Sequence, residues 1–539
     1  MVRATGSSAE STIAVTAWGA FRHPVFTILW IATVVSNIGS WMQSAASGWL
    51  MTTLSPSPYE VALVQAAGSL PMFLFSLPAG ALADIVDRRW LLIWMQIVAG
   101  ALSAAFAVMI AVGTISSDLL LTFIFLSGIT AILSAPAWQA IVPQLVPRHD
   151  MPGAIALNGA GFNLSRAVGP ALAGIAIAAL GMASPFFINA ASNLVAIGAL
   201  LWWRSKPSPR DLPVEHFFGA MRAGLRYAAF NRPLQATLVR SAAFFPLASV
   251  YWALLPLLAR NQIGGGPAIY GFLLGAIGVG AVAAAFVLPA AKARLGADGT
   301  MHAATALTAV ALVLFAIGHD LSTALVACAL AGIAWIAAIA TLTVSAQFAL
   351  PAWVRGRGLA IFACVQFAGL AAGSVIWGKI AAATGLPTAH VAAAIALVVL
   401  VPALSRWHLE TGAGNDLTPS MHWPTPVLSH DPTSDRGPVL VTVDYVVAPG
   451  VRTAFLAAIR KVGEERRRDG AYAWGIYQDL SREDAFVETF QVASWLEHMR
   501  QHERVTNADK VVEDAMQRLL AAGTPLIRHL ITPSANELP

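Results

Sequence analysis

Charged residues are scarce in this chain, and their scarcity excludes a string of soluble domains. Only 11% of the 539 residues are charged, whereas 57% are hydrophobic. A soluble globular protein carries about 25% charged residues, which cover its surface. The charges are also unevenly placed: residues 1–409 contain 20 Lys/Arg and 10 Asp/Glu, and residues 410–539 contain 13 and 18. The composition therefore predicts a membrane domain followed by a soluble domain.

Cysteine is nearly absent as well. The chain has two, Cys328 and Cys364, both within apolar runs, so neither a disulfide framework nor a CxxC metal site is available. The pI near 9.4 could suggest nucleic acid, but the positive excess belongs to residues 1–409. The C-terminal piece has more Asp/Glu than Lys/Arg, which argues against a domain that binds polyanions.

A nucleotide-binding loop is also missing. The pattern G-x-x-x-x-G-K-[ST] occurs nowhere in the sequence, so ATP hydrolysis is not encoded in this chain and no cofactor is predicted. The N-terminal residues lack a continuous apolar stretch of about 7–15 residues, so a cleaved signal peptide is not predicted either. Any transport by this chain would therefore be driven by an ion gradient rather than by ATP.

Long apolar segments, in contrast, are abundant. A helix needs about 20 apolar residues to cross a bilayer. Twelve candidate spans lie near residues 25–51, 58–83, 90–113, 118–146, 153–181, 185–203, 234–259, 268–291, 300–318, 320–349, 358–384 and 386–405. With the N-terminus inside, the inner segments contain sixteen basic residues and the outer loops contain one, Arg260. Because cytoplasmic loops carry the excess of Lys and Arg, this alternation supports twelve helices with both ends in the cytoplasm.

The spans divide into two groups of six, and this division sets the predicted domain boundaries. They are a cytoplasmic N-terminus (1–24), a first half (25–203), a cytoplasmic loop (204–233), a second half (234–406), a linker (407–438) and a soluble domain (439–531). The loop contains an amphipathic helix with Phe217, Met221, Leu225 and Ala228 on one face. Either a helix lying on the inner membrane surface or an ordinary linker helix fits this pattern.

Three charged residues lie inside spans, where charge is costly and therefore a sign of function. Arg166 lies about a third of the way along the fifth span, and we predict a role in a cavity or conformational gate, against packing with a carboxylate at a helix end. Arg240 and Lys379 lie nearer span ends, where they could reach the headgroups instead. No Asp or Glu lies well inside any span. Buried arginines suit carboxylate, phosphate or phenolate groups, so an anionic or hydroxyl-rich substrate is predicted.

Further polar and aromatic residues could line a cavity, although packing between helices is the more common role of each, because polar pairs between helices are common. These cavity candidates are Asn37, Gln43, Trp138, Gln139, Asn163, Phe244, Phe245, Trp335 and Gln366. The residue that would carry a coupled proton is not identifiable, and Glu60 and Asp84 are candidates by elimination.

Two motifs resemble those of the major facilitator superfamily. Gly80, Leu82, Asp84, Arg88 and Arg89 match its G-x-L-a-D-r-x-G-R-K/R signature, with Ile85 and Asp87 where Arg and Gly are usual. The resemblance implies a latch that holds one conformation of a transporter. In the fifth span, Gly169, Pro170 and Gly174 are similar to the pattern of the antiporter and export branches, which favours export. Residues 135–143, 156–158, 37–43 and 251–260 resemble the subgroup that contains the enterobactin exporter and related secretion effectors.

The C-terminal domain reads as βαββαβ, the ferredoxin-like order. Strands are predicted at 439–447, 472–479, 485–492 and 525–531, and helices at 451–468, 495–502 and 507–520. The domain resembles the dimeric α+β barrels related to antibiotic-biosynthesis monooxygenases, which implies a possible homodimer. His498 and His502 have the i, i+4 spacing of metal ligands, but no third ligand is identifiable, so no metal site and no enzymatic activity are predicted.

Together these features predict an all-α polytopic membrane protein of the major facilitator fold with a soluble α+β domain. The leading hypothesis is an exporter in a bacterial inner membrane, coupled to protons, that moves a small anionic or polyhydroxylated metabolite such as a siderophore by alternating access. A multidrug exporter of broad specificity is one alternative. A membrane-anchored enzyme acting through the C-terminal domain is the other.

Overall fold

The structure is a computed structural model, and it describes residues 18–147, 149–204, 217–412, 416–423, 436–521 and 525–532. The side chains of residues 77, 80, 81, 83–85, 217–220 and 401–402 lie outside this description. The chain forms a large helical part followed by a small α+β part, as the composition predicts. The two parts are in contact with each other.

The described residues of the first part form twelve α-helices. They are α1 (Pro24–Leu54), α2 (Pro58–Ile85), α3 (Arg88–Ala111), α4 (Ser117–Ile141), α5 (Met151–Leu180), α6 (Ser184–Trp202), α7 (Phe217–Phe230), α8 (Arg232–Leu257), α9 (Pro267–Ile317), α10 (Leu321–Phe348), α11 (Arg355–Thr384) and α12 (Leu386–Leu404). Nine helices in the described part of the chain are long and apolar enough to cross a membrane. Several begin with proline in the first turn, where its missing N–H costs nothing, as Pro58 and Pro267 do.

Helix α9 is far longer than a single crossing requires. Its 51 residues would extend about 76 Å as one straight rod, against a hydrocarbon core of about 30 Å. The helix is broken at Gly296, where φ is +68° and ψ is −173°, a conformation that glycine adopts without steric cost. The break lies between the two spans that the sequence predicts at 268–291 and 300–318.

The helices form two groups that we call the first half (α1–α6) and the second half (α8–α12). Helices α2 and α11 pack together across the boundary between the halves, and so do α5 and α9. The connection between α1 and α2, Ser55–Ser57, defines what we call the loop side of the molecule. The opposite side, where α12 ends and the C-terminal part begins, is called the tail side.

The amphipathic helix predicted in the central loop is present as α7, but its buried face differs from the predicted one. Tyr227 is 1% exposed and Ala223 is buried, whereas Leu225, placed by the sequence on the apolar face, is 51% exposed. The reason is that α7 packs between α11 on one side and the first helix of the C-terminal part on the other. Arg226 therefore points towards the C-terminal part, where it pairs with Glu497 at 3.2 Å.

The C-terminal part, which we call the tail domain, contains a four-stranded antiparallel sheet. Its elements are β1 (Val439–Val446), α13 (Arg452–Asp469), β2 (Ala473–Gln478), β3 (Ala485–Val492), α14 (Trp495–Arg504), α15 (Asn507–Gln517) and β4 (Leu526–Ile531). The strand order β2-β3-β1-β4 and the βαββαβ succession are those of the ferredoxin-like arrangement. The element boundaries agree with the predicted ones to within three residues.

Alternation of apolar residues explains which face of the sheet is covered. Val439, Val441 and Val443 point to one face of β1 and are buried against Phe455 and Ile459 of α13. The residues between them are only half-buried, because no helix of the described chain covers the other face. Period-two burial of this kind is expected for a sheet with a single covered face.

Candidate functional site

A cavity of about 100 Å³ lies between the two halves. Its walls come from α1, α2, α5, α8 and α9, so both halves contribute. The lining residues are Trp41, Ser44, Ala45, Gly48, Val61, Val64, Gln65, Arg166, Pro170, Trp252, Ala253, Pro256, Tyr270, Leu274 and Ile277. Small-molecule sites are typically concave and mostly apolar with a few polar groups, and this cavity has that character.

Arg166 is the charged residue of the cavity. Its guanidinium carbon lies 5.9 Å from the ring centroid of Trp41 and 5.5 Å from that of Trp252, over the face of each ring. Trp41 belongs to the first half and Trp252 to the second. Within the described part of the chain, no carboxylate forms an ion pair with Arg166. The structure thus puts a cation between two aromatic faces at the boundary of the halves, which favours recognition of an anion.

Small residues of α5 hold Arg166 at this boundary. A Cβ atom at Gly169 would lie 2.6 Å from the Cβ of Trp41, and one at Gly174 would lie 2.6 Å from the carbonyl oxygen of Pro267. Glycine at these two positions therefore lets α5 approach α1 and α9 closely. Pro170, between them, lines the cavity directly.

Contacts between the halves lie on the loop side of the cavity. Arg260, in the short helical turn that follows α8, donates a hydrogen bond to the carbonyl oxygen of Thr52 near the end of α1. Trp49 and Tyr270 stack with their ring centroids 6.0 Å apart. These contacts join α1 of the first half to α8 and α9 of the second.

Lys379 adds a further contact on the loop side. Its ammonium nitrogen lies 5.7 Å from the ring centroid of Tyr59, which belongs to the other half. The sequence leaves open whether Lys379 only reaches outward to the headgroups. In the structure it also contacts an aromatic ring at the start of α2.

Two of the predicted cavity residues lie on α1, away from the lining of this cavity. Gln43 is 8% exposed, and its Oε1 accepts hydrogen bonds from Ser103 Oγ at 2.6 Å and from Asn189 Nδ2 at 2.7 Å. This buried network links α1, α3 and α6 within the first half. Asn37, two turns earlier on α1, is half-buried.

Three other predicted cavity residues lie on α4 and α5. Trp138 donates a hydrogen bond from Nε1 to Asn158 Oδ1 at 3.0 Å, which joins α4 to α5. Gln139 and Asn163 are exposed, and the Asn163 amide donates to the carbonyl oxygen of Gly159 on its own helix. None of the three lines the cavity that contains Arg166.

Arg240 is buried near the tail side rather than beside Arg166. It is 3% exposed, its Nη2 lies 2.9 Å from Asp298 Oδ1, and its Nε donates to the carbonyl oxygen of Trp407 at 2.7 Å. Asp298 also accepts the backbone N–H of Leu409 at 3.1 Å and lies 3.0 Å from His408 Nδ1. The pair therefore attaches the chain leaving α12 to α8 and α9.

Sequence reasoning missed Asp298, although a signal was present. A second-half counterpart of the Asp motif would lie near residues 288–296, and Asp298 stands two positions beyond Gly296, the residue at which α9 breaks.

The remaining predicted cavity residues lie on helices of the second half. Phe244 lies beside Arg240 in a second, smaller cavity. Phe245 and Trp335 contact each other edge to face, with ring centroids 5.4 Å apart. Gln366 is buried on α11, at 6% exposure.

The predicted conformational motif is only partly described. The side chains of Gly80 and Asp84 lie outside the described residues, so their predicted latch stays a prediction. Arg89 donates from Nε to the carbonyl oxygen of Leu200 at 2.8 Å, and from Nη2 to that of Leu201 at 2.9 Å. It thereby binds the C-terminal carbonyls of α6, a favourable place for a cation. Arg88 begins α3.

The tail domain contains a cluster of histidines. His498 Nε2 and His502 Nε2 are 3.4 Å apart, and the ring centroid of His529 lies 4.9 Å from that of His498. Burial lowers the pKa of His498 to about 3 and that of His502 to about 4, so both are neutral at pH 7. Among the residues that the structure describes, no three His, Cys, Asp or Glu side chains are arranged to hold a metal ion.

A buried ionic network occupies the interior of the same domain, and no motif in the sequence indicates it. Glu488 is fully buried and accepts hydrogen bonds from Tyr445 Oη and Trp474 Nε1, both at 2.8 Å. Arg466 Nη1 donates to Glu513 Oε1 at 2.7 Å and lies between the two carboxylates. The pKa of Glu513 is lowered to about 2, because the attraction of Arg466 and hydrogen bonds outweigh the effect of burial.

Comparison with known proteins identifies relatives of the chain. The sequence profile of a family described as transmembrane secretion effector matches residues 15–537. The multidrug efflux pump Tap of Mycolicibacterium fortuitum is 24% identical over 391 residues, which are 70% of this chain and 94% of the relative. The staphyloferrin A transporter of Staphylococcus aureus is 23% identical over 51% of this chain and 69% of its own. The enterobactin exporter EntS of Shigella boydii is 26% identical over 48% and 62%, respectively.

Solved structures share the fold. A bacterial homolog of the human lysosomal transporter Spinster, in an inward-facing and occupied conformation, aligns with a TM-score of 0.58 at 15% identity, over 72% of this chain and 97% of its own. The nucleoside transporter NupG aligns with a TM-score of 0.54 at 14% identity, over 71% and 98%. At these identities the likeness concerns the fold alone.

Proposed function

Because the chain belongs to the transmembrane secretion effector family, we propose that it exports a small anionic or polyhydroxylated metabolite, such as a siderophore, across a bacterial inner membrane. The protein is a multi-pass membrane transporter of the major facilitator type. Among its relatives are proteins named as exporters or transporters of siderophores and as a multidrug efflux pump. The relatives support export, and the proposal adds the chemical class of the substrate.

The observation that carries the proposal is the position of Arg166. A guanidinium in an apolar span is costly unless something compensates its charge. Here it lies in a cavity at the boundary of the halves, with aromatic faces beside it and no ion-pair partner among the described residues. An anionic substrate would supply the missing charge, and a cationic substrate would be repelled.

The proposed mechanism is alternating access between two membrane-facing states. The proposal includes twelve crossings: the nine apolar helices of the described chain, with α9 counted twice because of its break, together with α2 and α12. The excess of basic residues on the tail side supports a cytoplasmic location for that side and for both termini. The contacts between the halves on the loop side would then separate the cavity from the outside. A proton gradient is the proposed energy source.

Transport by the purified full-length protein in liposomes tests this proposal. Under an imposed pH gradient, a catecholate siderophore and a lipophilic cation dye are offered side by side to the native protein. We expect the siderophore alone to move, and we expect Arg166→Ala to abolish that movement. Arg204→Ala, which removes an exposed arginine at the end of α6, is the matched control and should transport normally. Movement of the dye with Arg166 dispensable would instead identify a multidrug exporter.

The multidrug alternative rests on one specific observation, the aromatic and apolar lining of the cavity. Trp41, Trp252 and Tyr270 offer large flat surfaces that accept many lipophilic molecules. The relative Tap is named as a multidrug efflux pump. Against this reading stands Arg166, because a buried cation disfavours the positively charged dyes that such pumps commonly move.

We also propose that the tail domain is cytoplasmic and pairs with the same domain of a second copy. The sheet face that no described helix covers carries apolar and aromatic side chains, among them Leu530, 50% exposed, and Tyr477, 61% exposed. Light scattering in detergent tests this pairing. The full-length protein should have a larger mass than a variant in which these side chains are replaced by lysine.

Catalysis by the tail domain is the alternative from a different class of function. Turnover of a metabolite without transport would favour it.

A further inference from the structure

The geometry around Arg166 points to a more specific ligand, a flat, singly charged acid whose carboxylate is conjugated with an aromatic ring. This inference rests on the proposed export function and narrows the substrate of the same cavity. It depends on three features: the number of charges in the lining, the orientation of the two indole rings, and the polar groups next to them.

The charge of the lining matches a monoanion. Of the described residues that line the cavity, Arg166 alone is charged. Its guanidinium offers five N–H donors in one plane, which bind the two coplanar oxygens of a carboxylate as a pair of parallel hydrogen bonds. A phosphate monoester or a citrate-type polyanion would bring more charges into this apolar site than one arginine compensates.

The indole rings present their faces to the charged centre. The guanidinium carbon of Arg166 lies over the ring face of Trp41 at 5.9 Å and of Trp252 at 5.5 Å. A carboxylate held by Arg166 therefore enters a space bordered by aromatic faces. An aromatic ring coplanar with that carboxylate stacks on such faces, whereas a saturated ring of the same size presents hydrogens and packs less closely.

Trp41 lies on α1 and Trp252 on α8, while Arg166 lies on α5. A flat ligand that pairs with Arg166 and contacts both indoles therefore touches both halves at once. Ser44 and Gln65, which line the same cavity, provide hydrogen-bonding groups for a hydroxyl substituent on the ring. The site accordingly suits a hydroxylated aromatic acid better than an aliphatic one.

Binding of three matched ligands to the purified full-length protein in detergent, measured by isothermal titration calorimetry, tests the inference. They are 2-naphthoate, which is flat and anionic; decahydro-2-naphthoate, which is anionic but not flat; and 2-naphthylmethanol, which is flat but neutral. We expect 2-naphthoate to bind at least about tenfold more tightly than either of the others. Because this comparison uses the unchanged protein, it does not depend on how well any variant folds.

Two variants then assign the preference to this cavity. Trp252→Leu should reduce the advantage of 2-naphthoate over its decahydro analogue to less than about threefold, while Arg166→Lys should weaken both anions and leave the neutral ligand unchanged. Trp94→Leu, which replaces a tryptophan on the outer surface of α3 with 58% exposure, is the matched control and should retain the preference.

Equal binding of the flat and saturated acids would overturn the inference. If 2-naphthoate fails to bind while the siderophore still moves in liposomes, the inference is wrong and the proposed export function stands. If neither of the two acids binds and the siderophore does not move in liposomes, the proposed substrate class fails as well. The two failures are therefore distinguishable.

Discussion

Two arginines in apolar helices of the same chain have different environments, and the difference shows what residue type alone leaves open. Arg166 and Arg240 have the same chemistry and both interrupt predicted spans. Arg240 of α8 is paired with Asp298, which follows the break in α9. Arg166, in contrast, lies in a cavity beside two indole rings. The sequence predicts a functional role for both arginines, but it does not indicate which of them lies near a carboxylate. The position of Asp298 depends on the break in α9, and this break brings Asp298 next to Arg240.

The same argument explains why most predicted cavity residues line no part of the cavity beside Arg166. The sequence predicts that the Gln43 amide could bind a ligand. In the structure, however, its oxygen accepts hydrogen bonds from Ser103 and Asn189 within the first half. The direction in which a residue faces on an apolar helix is set by its neighbours, and in a membrane nearly every face is apolar. Hydrophobic periodicity therefore gives little information about orientation, and Trp252 and Gln65 could not be singled out.

Close packing at Gly174 leads to the first prediction at this scale. Gly174→Ala puts a Cβ atom 2.6 Å from the backbone carbonyl oxygen of Pro267, so α5 and α9 must separate. We expect the apparent melting temperature of the full-length protein in detergent to fall by several degrees, because overpacking typically costs about 1–3 kcal/mol, and we expect transport to fall with it.

Gly159→Ala on the same helix is the matched control for this prediction. No atom lies within 4 Å of a Cβ atom built at Gly159, and alanine has the higher helix propensity by roughly 1 kcal/mol. This variant should be as stable as the native protein or slightly more so. A Gly174→Ala protein as stable as the Gly159→Ala protein would show that the approach of α5 to α9 is not tight.

At the level of elements, the sequence predicts where helices and strands lie in the chain more reliably than it predicts what they pack against. The strands and helices of the tail domain are predicted to within three residues, because each follows from local alternation and turn residues. Helix α7 is also predicted, but its buried face is not, because the face is selected by contact with α13, which is far away in the sequence. The break in α9 is anticipated as a gap between spans, and Gly296 supplies its conformation.

Contacts of α14 connect the tail domain to the second half. Arg504 donates from Nη1 to Glu497 Oε1 at 2.6 Å, and its guanidinium carbon lies 4.5 Å from the ring centroid of Trp353 in the connection between α10 and α11. Glu497 also pairs with Arg226 of α7 at 3.2 Å. Since Arg504 is 5% exposed, little water screens these interactions.

The second prediction concerns this docking contact. Arg504→Ala removes the stacked guanidinium from Trp353, which for a desolvated pair is worth about 2 kcal/mol. We expect the backbone amides of residues 349–354 to exchange hydrogen faster in the full-length variant, by up to about thirtyfold, as measured by mass spectrometry. The reason is that the connection then opens without first displacing a bound arginine.

Arg528→Ala controls for the loss of a tail-domain arginine. Arg528 pairs with Asp444 at 2.7 Å, but its side chain is 54% exposed, and exposed pairs contribute roughly 0–1 kcal/mol. Exchange at 349–354 should match that of the native protein. Equal exchange in the Arg504→Ala and native proteins would mean that the tail domain does not stabilise this connection.

At the scale of the whole molecule, the tail domain and the second half form one contiguous body. Asp298 holds the chain after α12, Arg232 of α8 pairs with Glu464 at 3.3 Å, and α7 packs between α11 and α13. The proposed rocking motion then moves the first half against a body that includes the tail domain. The packing of this body could not be derived from sequence, because its contacts join residues hundreds of positions apart.

The third prediction tests motion between the halves directly. Ser76 Oγ on α2 and Cys364 Sγ on α11 are 3.0 Å apart across the boundary. Ser76→Cys therefore brings two thiols close to the sulfur–sulfur bonding distance of about 2.05 Å. We expect oxidation to link α2 to α11 and to lower transport in liposomes at least about tenfold, with recovery after reduction, because alternating access requires the halves to change their separation.

The double variant Ser76→Cys with Cys364→Ser is the control, because it keeps one thiol at this place and cannot form the link. It should transport equally with and without oxidant. The remaining native cysteine, Cys328, is fully buried on α10 and is not available to a soluble oxidant or to Ser76→Cys. Undiminished transport by quantitatively linked protein would mean that α2 and α11 stay together through the cycle. The opening would then have to occur between α5 and α9, where Gly174 and Pro267 meet, and the Gly174→Ala variant would become the decisive test of how the halves move.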